Sequence, residues 1–317
     1  MSFRIMGTGS YVPPHIVTNE DLSKMLDTTD EWITQRVGVK QRHISTEETA
    51  SEMGAKAGKA ALNAAGVAPE ELDLIICSTV GGEDASPAVA AMIQHYLGAT
   101  CPAFDLNAAC AGFIYGLETA AGFFALKKYK KILIVSSEML SRFVDWDDRG
   151  TAVIFADGAG AVVLEEGDNY LSSVLTATGG DKVIKIPNFM GKSPFYKKEQ
   201  APPYIFMDGG ETFKFAVSSS SRDLIKVIRE AGLKEEDIDH VLFHQANIRI
   251  IDKAKSRLNI PPERFYSNIA HIGNTSSASI PIALDELARM GRLKEGDYIA
   301  MSGFGGGLVT GACIIRW

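Results

Sequence analysis

A chain of 317 residues is longer than one ordinary domain, and 46% apolar with 22% charged residues places it among globular proteins with a sizeable core. The net charge of −7 argues against general nucleic-acid binding, and no apolar run reaches the roughly 18 residues that span a bilayer. Residues 1–7 lack the apolar core of a signal peptide. The four cysteines (Cys77, Cys101, Cys110, Cys313) show no metal-ligand spacing and lie mostly in apolar runs, so reduced thiols in a cytoplasmic protein are expected.

In chain order, residues 5–12 read as a strand that ends at Pro13-Pro14. Asn19 opens a short helix. The stretch 27–32 opens a second helix, which puts Trp32 and Arg36 on one face. Residues 49–65 have the apolar period of an amphipathic helix closed by Gly66. Residues 72–80 read as a continuously apolar strand and 87–97 as a helix. The apolar run 101–106 hands over at Cys110 to a helix. Strands follow at 132–136, 152–156, 161–165 and 170–177, with a turn-rich loop at 145–150. Residues 181–209 hold four prolines and no firm period, which in a compact protein points to a functional or disordered segment; a mobile cover over the substrate channel is the expectation. A helix then runs over 211–231, a strand over 241–242, a helix over 278–290 and a final strand over 308–315.

The chain repeats itself. Residues 65–76 align without a gap on 231–242, an offset of 166. The same offset carries the strand 132–136 onto 298–302, and one residue more carries 107–111 onto 274–278. Three matches in order imply a duplicated α/β unit, with halves at about 1–170 and 171–317. Alternating helices and continuously apolar strands imply a largely parallel sheet in each half, covered by helices, with a ligand site between the halves.

Four stretches carry polar groups that a pure core would avoid. Cys110 lies among small residues where a strand meets a helix. It reads either as a buried structural cysteine or as a nucleophile whose thiolate the helix N-terminus would stabilise. His244-Gln245-Ala246-Asn247 follows a buried strand, and reads equally as a functional strand end or a satisfied core histidine. His271-Ile272-Gly273-Asn274-Thr275-Ser276 opens a helix and supplies ordinary caps as well as candidate ligands. Ser302-Gly303-Phe304-Gly305-Gly306-Gly307 follows a strand and either cradles an anion or makes a tight bend. It lacks the spacing of a dinucleotide fingerprint, which disfavours a nucleotide-binding oxidoreductase. Together the four suit nucleophilic attack by a thiolate on a carbonyl, with His and Asn donating hydrogen bonds and a backbone N–H forming an oxyanion hole.

Ala108-Ala109-Cys110-Ala111-Gly112-Phe113, His244-Gln245-Ala246-Asn247, His271-Ile272-Gly273-Asn274-Thr275-Ser276 and Phe304-Gly305-Gly306-Gly307 resemble the signatures of the β-ketoacyl-acyl carrier protein synthase III family. The resemblance covers the whole chain. It implies the α/β thiolase fold, with two pseudo-repeated halves in a layered αβαβα arrangement, and a homodimer. It implies that Cys110 takes an acyl group from acyl-CoA and condenses it with malonyl-acyl carrier protein, with loss of CO2 and without metal or redox cofactor. His244 and Asn274 would be the other catalytic residues, and the N–H groups of Cys110 and Gly306 the oxyanion hole. By position Thr28, Trp32, Arg36, Arg149, Phe213 and Asn247 would bind CoA. Ser86 and Phe304 would border the acyl pocket, with Ser86 standing where many relatives carry a bulky aromatic that reaches into the partner subunit. Lys214 and Arg249, with Lys253, Lys255 and Arg257 as weaker candidates, would meet the acidic carrier protein. A related ketosynthase or acyltransferase of secondary metabolism could keep the same three catalytic residues with another extender or acceptor. A non-catalytic subunit of a condensing complex would be expected to lack the cysteine.

Overall fold

The computed structural model describes residues 2–188 and 193–317. One five-stranded sheet uses β1 (Ser2–Tyr11), β2 (Leu74–Ser78), β3 (Ala103–Leu106), β4 (Lys131–Met139) and β5 (Asp157–Gly167), in the spatial order β1-β5-β4-β2-β3. The other uses β6 (Tyr170–Ala177), β7 (His240–Phe243), β8 (Phe265–Tyr266), β9 (Tyr298–Gly305) and β10 (Val309–Arg316), in the order β6-β10-β9-β7-β8. The second order is the first with every strand advanced by five. In each sheet one strand, β5 or β10, runs antiparallel to both its neighbours, and the other four strands are parallel to one another.

The apolar strands are explained by burial on both faces. Leu74, Ile76, Ile132 and Ile134 point to a central helical layer made of α4 (Gly112–Ala125) and α7 (Ser279–Arg289), which also receives Leu242, Ile299, Met301 and Cys313 from the second sheet. Their neighbours Ile75, Cys77, Leu133 and Val135 point outward to α2 (Ala50–Ala65) and α3 (Val89–Leu97). On the far side Val241, Ala300, Ala312 and Ile314 pack on α5 (Gly209–Glu230) and α6 (Ile248–Lys255). The layers are therefore helix, sheet, helix, sheet, helix, which is the thiolase fold. The shorter α1 (Asp30–Arg36) joins α6 through Ile248 N–H, which donates to Val37 O at 2.9 Å.

Several local readings hold. Thr49 caps α2 in a capping box, and Gly66 closes it at φ +64. The helix expected from residue 87 starts at Val89, where both oxygens of Asp105 accept the Val89 and Ala90 N–H groups at 2.8 and 2.7 Å. One strand is corrected: residues 152–156 are not a strand. They continue the helical turn Arg149–Ala152 and make one bridge from Phe155 to Asn274, and β5 begins only at Asp157. Gly158 and Gly160 belong to that strand because α7 crosses it closely; a Cβ on Gly160 would lie 2.8 Å from Ile282 N. The glycine-rich stretch 302–307 also divides differently: Ser302 to Gly305 complete β9, and the turn proper starts at Gly306. Among the described residues no helix is long and apolar enough to cross a membrane.

The packing of α2 on β1 gives a stability test. A Cβ on Gly9 would lie 2.3 Å from Ala61 N and 2.4 Å from Ala57 O, helix backbone that has no side-chain freedom to give way. Gly9→Ala is expected to lower unfolding free energy by about 2 kcal/mol or more, measured by urea denaturation, whereas Gly66→Ser, at an open helix end, is expected to cost about 1 kcal/mol.

Candidate active site

The two helices of the central layer start from matching turns. Asn107 Oδ1 accepts Ala109 N–H at 3.1 Å, and Asn274 Oδ1 accepts Ser276 N–H at 2.8 Å. Ala109 and Ser276 both take left-handed backbone conformations, at φ +45 and +49, and each is followed by a 3-10 turn that leads into α4 or α7. A left-handed non-glycine residue costs about 1–2 kcal/mol, and the Asn side chains hold the two turns in that shape. Cys110 thus sits in a 3-10 turn just before α4, one residue after the strained position.

Strand β9 brings the remaining groups to Cys110. A Cβ on Gly305 would lie 2.6 Å from Cys110 N, so only glycine lets the strand approach the nucleophile's backbone this closely. The adjacent Phe304 packs edge-on against the His244 ring, with centroids 5.2 Å apart. His244 follows β7, is buried, and its Nδ1 lies 2.7 Å from Ser279 Oγ. Gln245 N–H donates to the same Oγ at 3.3 Å, so the Ser279 proton is free to go to Nδ1. In the tautomer where Ser279 Oγ–H donates to Nδ1, the ring proton stands on Nε2 and makes His244 a donor on that side. Asn274 is positioned the same way. Its Oδ1 is taken by Ser276 N–H, which leaves its amide hydrogens to donate.

Cys110, Gly306, Asn107, Ala109 and Ser276 line a cavity of about 190 Å³. Its other walls are mostly apolar: Val80, Leu140, Phe155, Ile184, Ile186 and Ile205. Three of those, with Lys185, come from the segment 181–209, which packs so closely that a Cβ on Gly306 would lie 3.2 Å from Ile184 Cγ2. Those four residues wall the thiol cavity. Part of the segment, residues 189–192, lies outside the described residues. Ser86 is exposed in the loop before α3 and Phe304 is buried on His244, so neither lines this cavity within the chain.

Burial dominates the electrostatics. It pushes the Cys110 thiol up to about 12, with the Glu138 carboxylate adding to the rise and the Ser276 hydroxyl and the residue's own N–H opposing it. Of the two states the sequence leaves open, burial favours the neutral thiol: Cys110 precedes the helix, and desolvation outweighs the nearby donors. Burial drives His244 down to about 3, so its imidazole is neutral. Burial therefore favours a neutral thiol at Cys110 and a neutral imidazole at His244.

The outer residues form three connected groups. The Arg149 guanidinium lies over the Trp32 ring at 4.8 Å and donates to Asp27 O at 2.7 Å, next to Thr28, whose buried hydroxyl has no partner among the described residues. Asn247 caps α6 and donates from Nδ2 to Arg36 O at 3.0 Å, which ties α1 to α6 and leaves one amide hydrogen. Arg249 lies over the Phe213 ring at 5.7 Å, and Lys214 is exposed and paired with Glu211 at 2.7 Å. Gln245 is internal: its amide bonds Phe243 O, Ser267 Oγ and Asn268 N.

Residues 104–180 match the family model for 3-oxoacyl-[acyl-carrier-protein] synthase III, and residues 228–317 match the model for its C-terminal part. The β-ketoacyl-[acyl-carrier-protein] synthase III of Clostridium acetobutylicum is 46% identical over 100% of this chain and 99% of its own length. The chain belongs to the 3-oxoacyl-[acyl-carrier-protein] synthase III family. The crystal structure of the Aquifex aeolicus synthase III superposes with a TM-score of 0.94 at 43% identity, covering 100% of both chains. The priming β-ketosynthase of the R1128 polyketide pathway superposes with a TM-score of 0.93 at 34% identity, covering 99% of this chain and 96% of the other.

Sequence reasoning gave no role to Ser279, Ser276 or Glu138. Ser279 is five residues beyond Asn274, and its position under His244 depends on how α7 meets β7. Glu138 was hidden as one polar residue at the end of an apolar strand; a charged residue in a strand buried on both faces was the available signal.

The raised thiol predicts a pH profile. Alkylation of Cys110 by iodoacetamide, followed by peptide mass spectrometry, is expected to keep accelerating from pH 6.5 to 9.5 with no plateau, because the thiolate fraction grows over the whole range below the thiol's pKa. A plateau above pH 7 would mean a stabilised thiolate.

Proposed function

We propose that this chain carries out the condensing reaction for which its family is named, as the initiating 3-oxoacyl-acyl carrier protein synthase of fatty acid biosynthesis. The observation that carries the reading is a mostly apolar cavity lined by Cys110 and by Ser276 of the turn that carries Asn274, whose side-chain oxygen is occupied so that its amide hydrogens are left to donate.

In the first step the Cys110 sulfur bonds to the acyl-CoA carbonyl carbon. The C–S bond to CoA breaks, and the thiol proton leaves with CoA. The acyl chain then extends among Val80, Leu140, Phe155 and Ile205, which suits a hydrocarbon. In the second step malonyl-acyl carrier protein loses CO2, and the electron pair of that C–C bond becomes an enolate. His244 Nε2–H and the Asn274 amide donate to the enolate oxygen, in a dry site where such bonds are strong and cost no reorganisation. The enolate carbon attacks the acyl carbonyl, whose developing negative charge the N–H groups of Cys110 and Gly306 hold. Collapse expels the Cys110 thiolate and yields the 3-oxoacyl product. No metal or redox group enters these steps. A neutral histidine suits this role, because a donor to an oxyanion needs its proton and not a net charge.

Thr28, Trp32, Arg36 and Arg149 would take the nucleotide end of CoA, and Phe213 and Asn247 the pantetheine arm. Lys214 and Arg249 would meet the carrier protein. A cytoplasmic homodimer with Ser86 at the partner's pocket completes the reading. Buried free thiols at Cys77, Cys101 and Cys313 support the compartment.

The likeness to a polyketide-priming ketosynthase favours one second reading, in which the same chemistry starts a polyketide. Product formation on a fatty-acid carrier protein rather than a polyketide one separates the two.

Intact mass spectrometry after brief incubation with acetyl-, isobutyryl- or hexanoyl-CoA is expected to show one acyl adduct on the wild type and none on Cys110→Ala; no adduct with any primer would remove the first step. Arg149→Ala is expected to raise KM for acyl-CoA about tenfold with kcat little changed, and CoA binding to perturb Trp32 fluorescence, because the guanidinium stacks on that ring.

A further inference from the structure

We infer that Glu138 is a positioning residue for the condensation step: its carboxylate ties the turn that carries Asn274 to the half that carries Cys110. This inference rests on the function proposed above.

Glu138 is fully buried at the end of β4. Its Oε2 accepts Val80 N–H at 3.0 Å and Thr79 Oγ1–H at 3.4 Å, both from the first half. Its Oε1 accepts Ser277 Oγ–H at 2.6 Å and Ser277 N–H at 3.3 Å, both from the second half. One carboxylate therefore spans the junction. It grips the turn 274–278 directly behind Asn274 and Ser276, while Val80 on its other side lines the thiol cavity.

The duplication explains why such a residue stands there. At the offsets found in the sequence, Cys110 falls on Ser277, Asn274 on Asn107, His244 on Ser78, Ser279 on Gly112 and Phe304 on Glu138. In the first constellation Phe304 supports His244 and Ser279 orients it. In the second there is no room for a histidine and its serine, since a Cβ on Gly112 would lie 1.8 Å from Ser78 Oγ. Glu138 instead holds Ser277, the residue in the nucleophile's place. The second turn is thus a buttress fixed by a carboxylate, and the amide of Asn274 inherits its placement.

A purely structural role would be filled more cheaply by an apolar side chain, since a buried carboxylate must be desolvated. Burial pushes Glu138 up to about 7, and its charge also raises the Cys110 thiol. The two half-reactions should therefore respond in opposite directions when the carboxylate is removed. Loss of the charge helps thiolate formation, whereas loss of the grip displaces Asn274.

The test uses the full-length protein as Glu138→Gln, Ser277→Ala and the double variant, compared with wild type at matched folded fraction by thermal melt. Isolated acyl-enzyme is mixed with malonyl-acyl carrier protein to time condensation, and free enzyme with iodoacetamide to time Cys110 alkylation. Condensation is expected to fall about 10- to 100-fold in each single variant, with the double no worse than the weaker single, because both ends of one interaction are removed. Alkylation of Glu138→Gln at pH 8 is expected to be unchanged or about two- to tenfold faster, the gain in thiolate being partly offset by its lower nucleophilicity. Condensation within twofold of wild type in Glu138→Gln, losses that multiply in the double variant, or alkylation slowed in parallel with condensation would each overturn the inference. Failure of the wild type itself to form an acyl-enzyme would instead overturn the proposed function.

Discussion

The site depends on how closely two left-handed turns and one strand can approach each other. Ala109 and Ser276 are held at positive φ by the side chains of Asn107 and Asn274, and β9 lies against the first turn because Gly303 and Gly305 carry no side chain. Each turn starts a helix of the same central layer, so the five-layer stack fixes their separation. Once that approach is made, Cys110, the Gly306 turn and Ser276 of the second turn line one cavity. The cost is local: about 1–2 kcal/mol for each strained residue, offset by the packing of α4 and α7 between two sheets.

Burial then decides the protonation states. A cysteine and a histidine in adjacent positions could share a proton as thiolate and imidazolium, but both are driven toward neutrality here. The arrangement is matched to charge that appears only during reaction, on the enolate and on the tetrahedral oxygen. Fixed neutral donors in a dry cavity stabilise such charge more than they stabilise the ground state. On the proposed function the apolar walls would serve two ends at once, receiving an acyl chain and keeping water from the acyl-enzyme.

Most of this architecture is legible in the chain because duplication leaves a register. The apolar strands and the capped helices follow from local rules, and the offset between Asn107 and Asn274 shows in advance that two matching turns exist. The family resemblance named Cys110, His244 and Asn274; the structure brings Gly305 against Cys110 and Phe304 against His244, and puts Asn274 at the head of the matching turn. What could not be read depends on tertiary placement. Residues 152–156 are apolar enough for a strand, yet the Asn274 bridge and the preceding helical turn claim them. The state of Cys110 stays open at the level of sequence because a sequence shows the following helix but neither the desolvation nor the carboxylate behind it. Ser279 and Glu138 are polar residues whose partners are 35 and 139 positions away in the chain, so no local pattern reveals them.

The central claim is that donors placed on the second half drive condensation onto an acyl group held by the first. The most direct measurement is a single turnover: acyl-enzyme freed of CoA is mixed with malonyl-acyl carrier protein, and CO2 release and acyl loss from Cys110 are followed in wild type and Asn274→Ala. The account predicts prompt 3-oxoacyl product in the wild type and an acyl-enzyme that forms normally but discharges about 100-fold more slowly in the variant. Discharge of Asn274→Ala at the wild-type rate would contradict it.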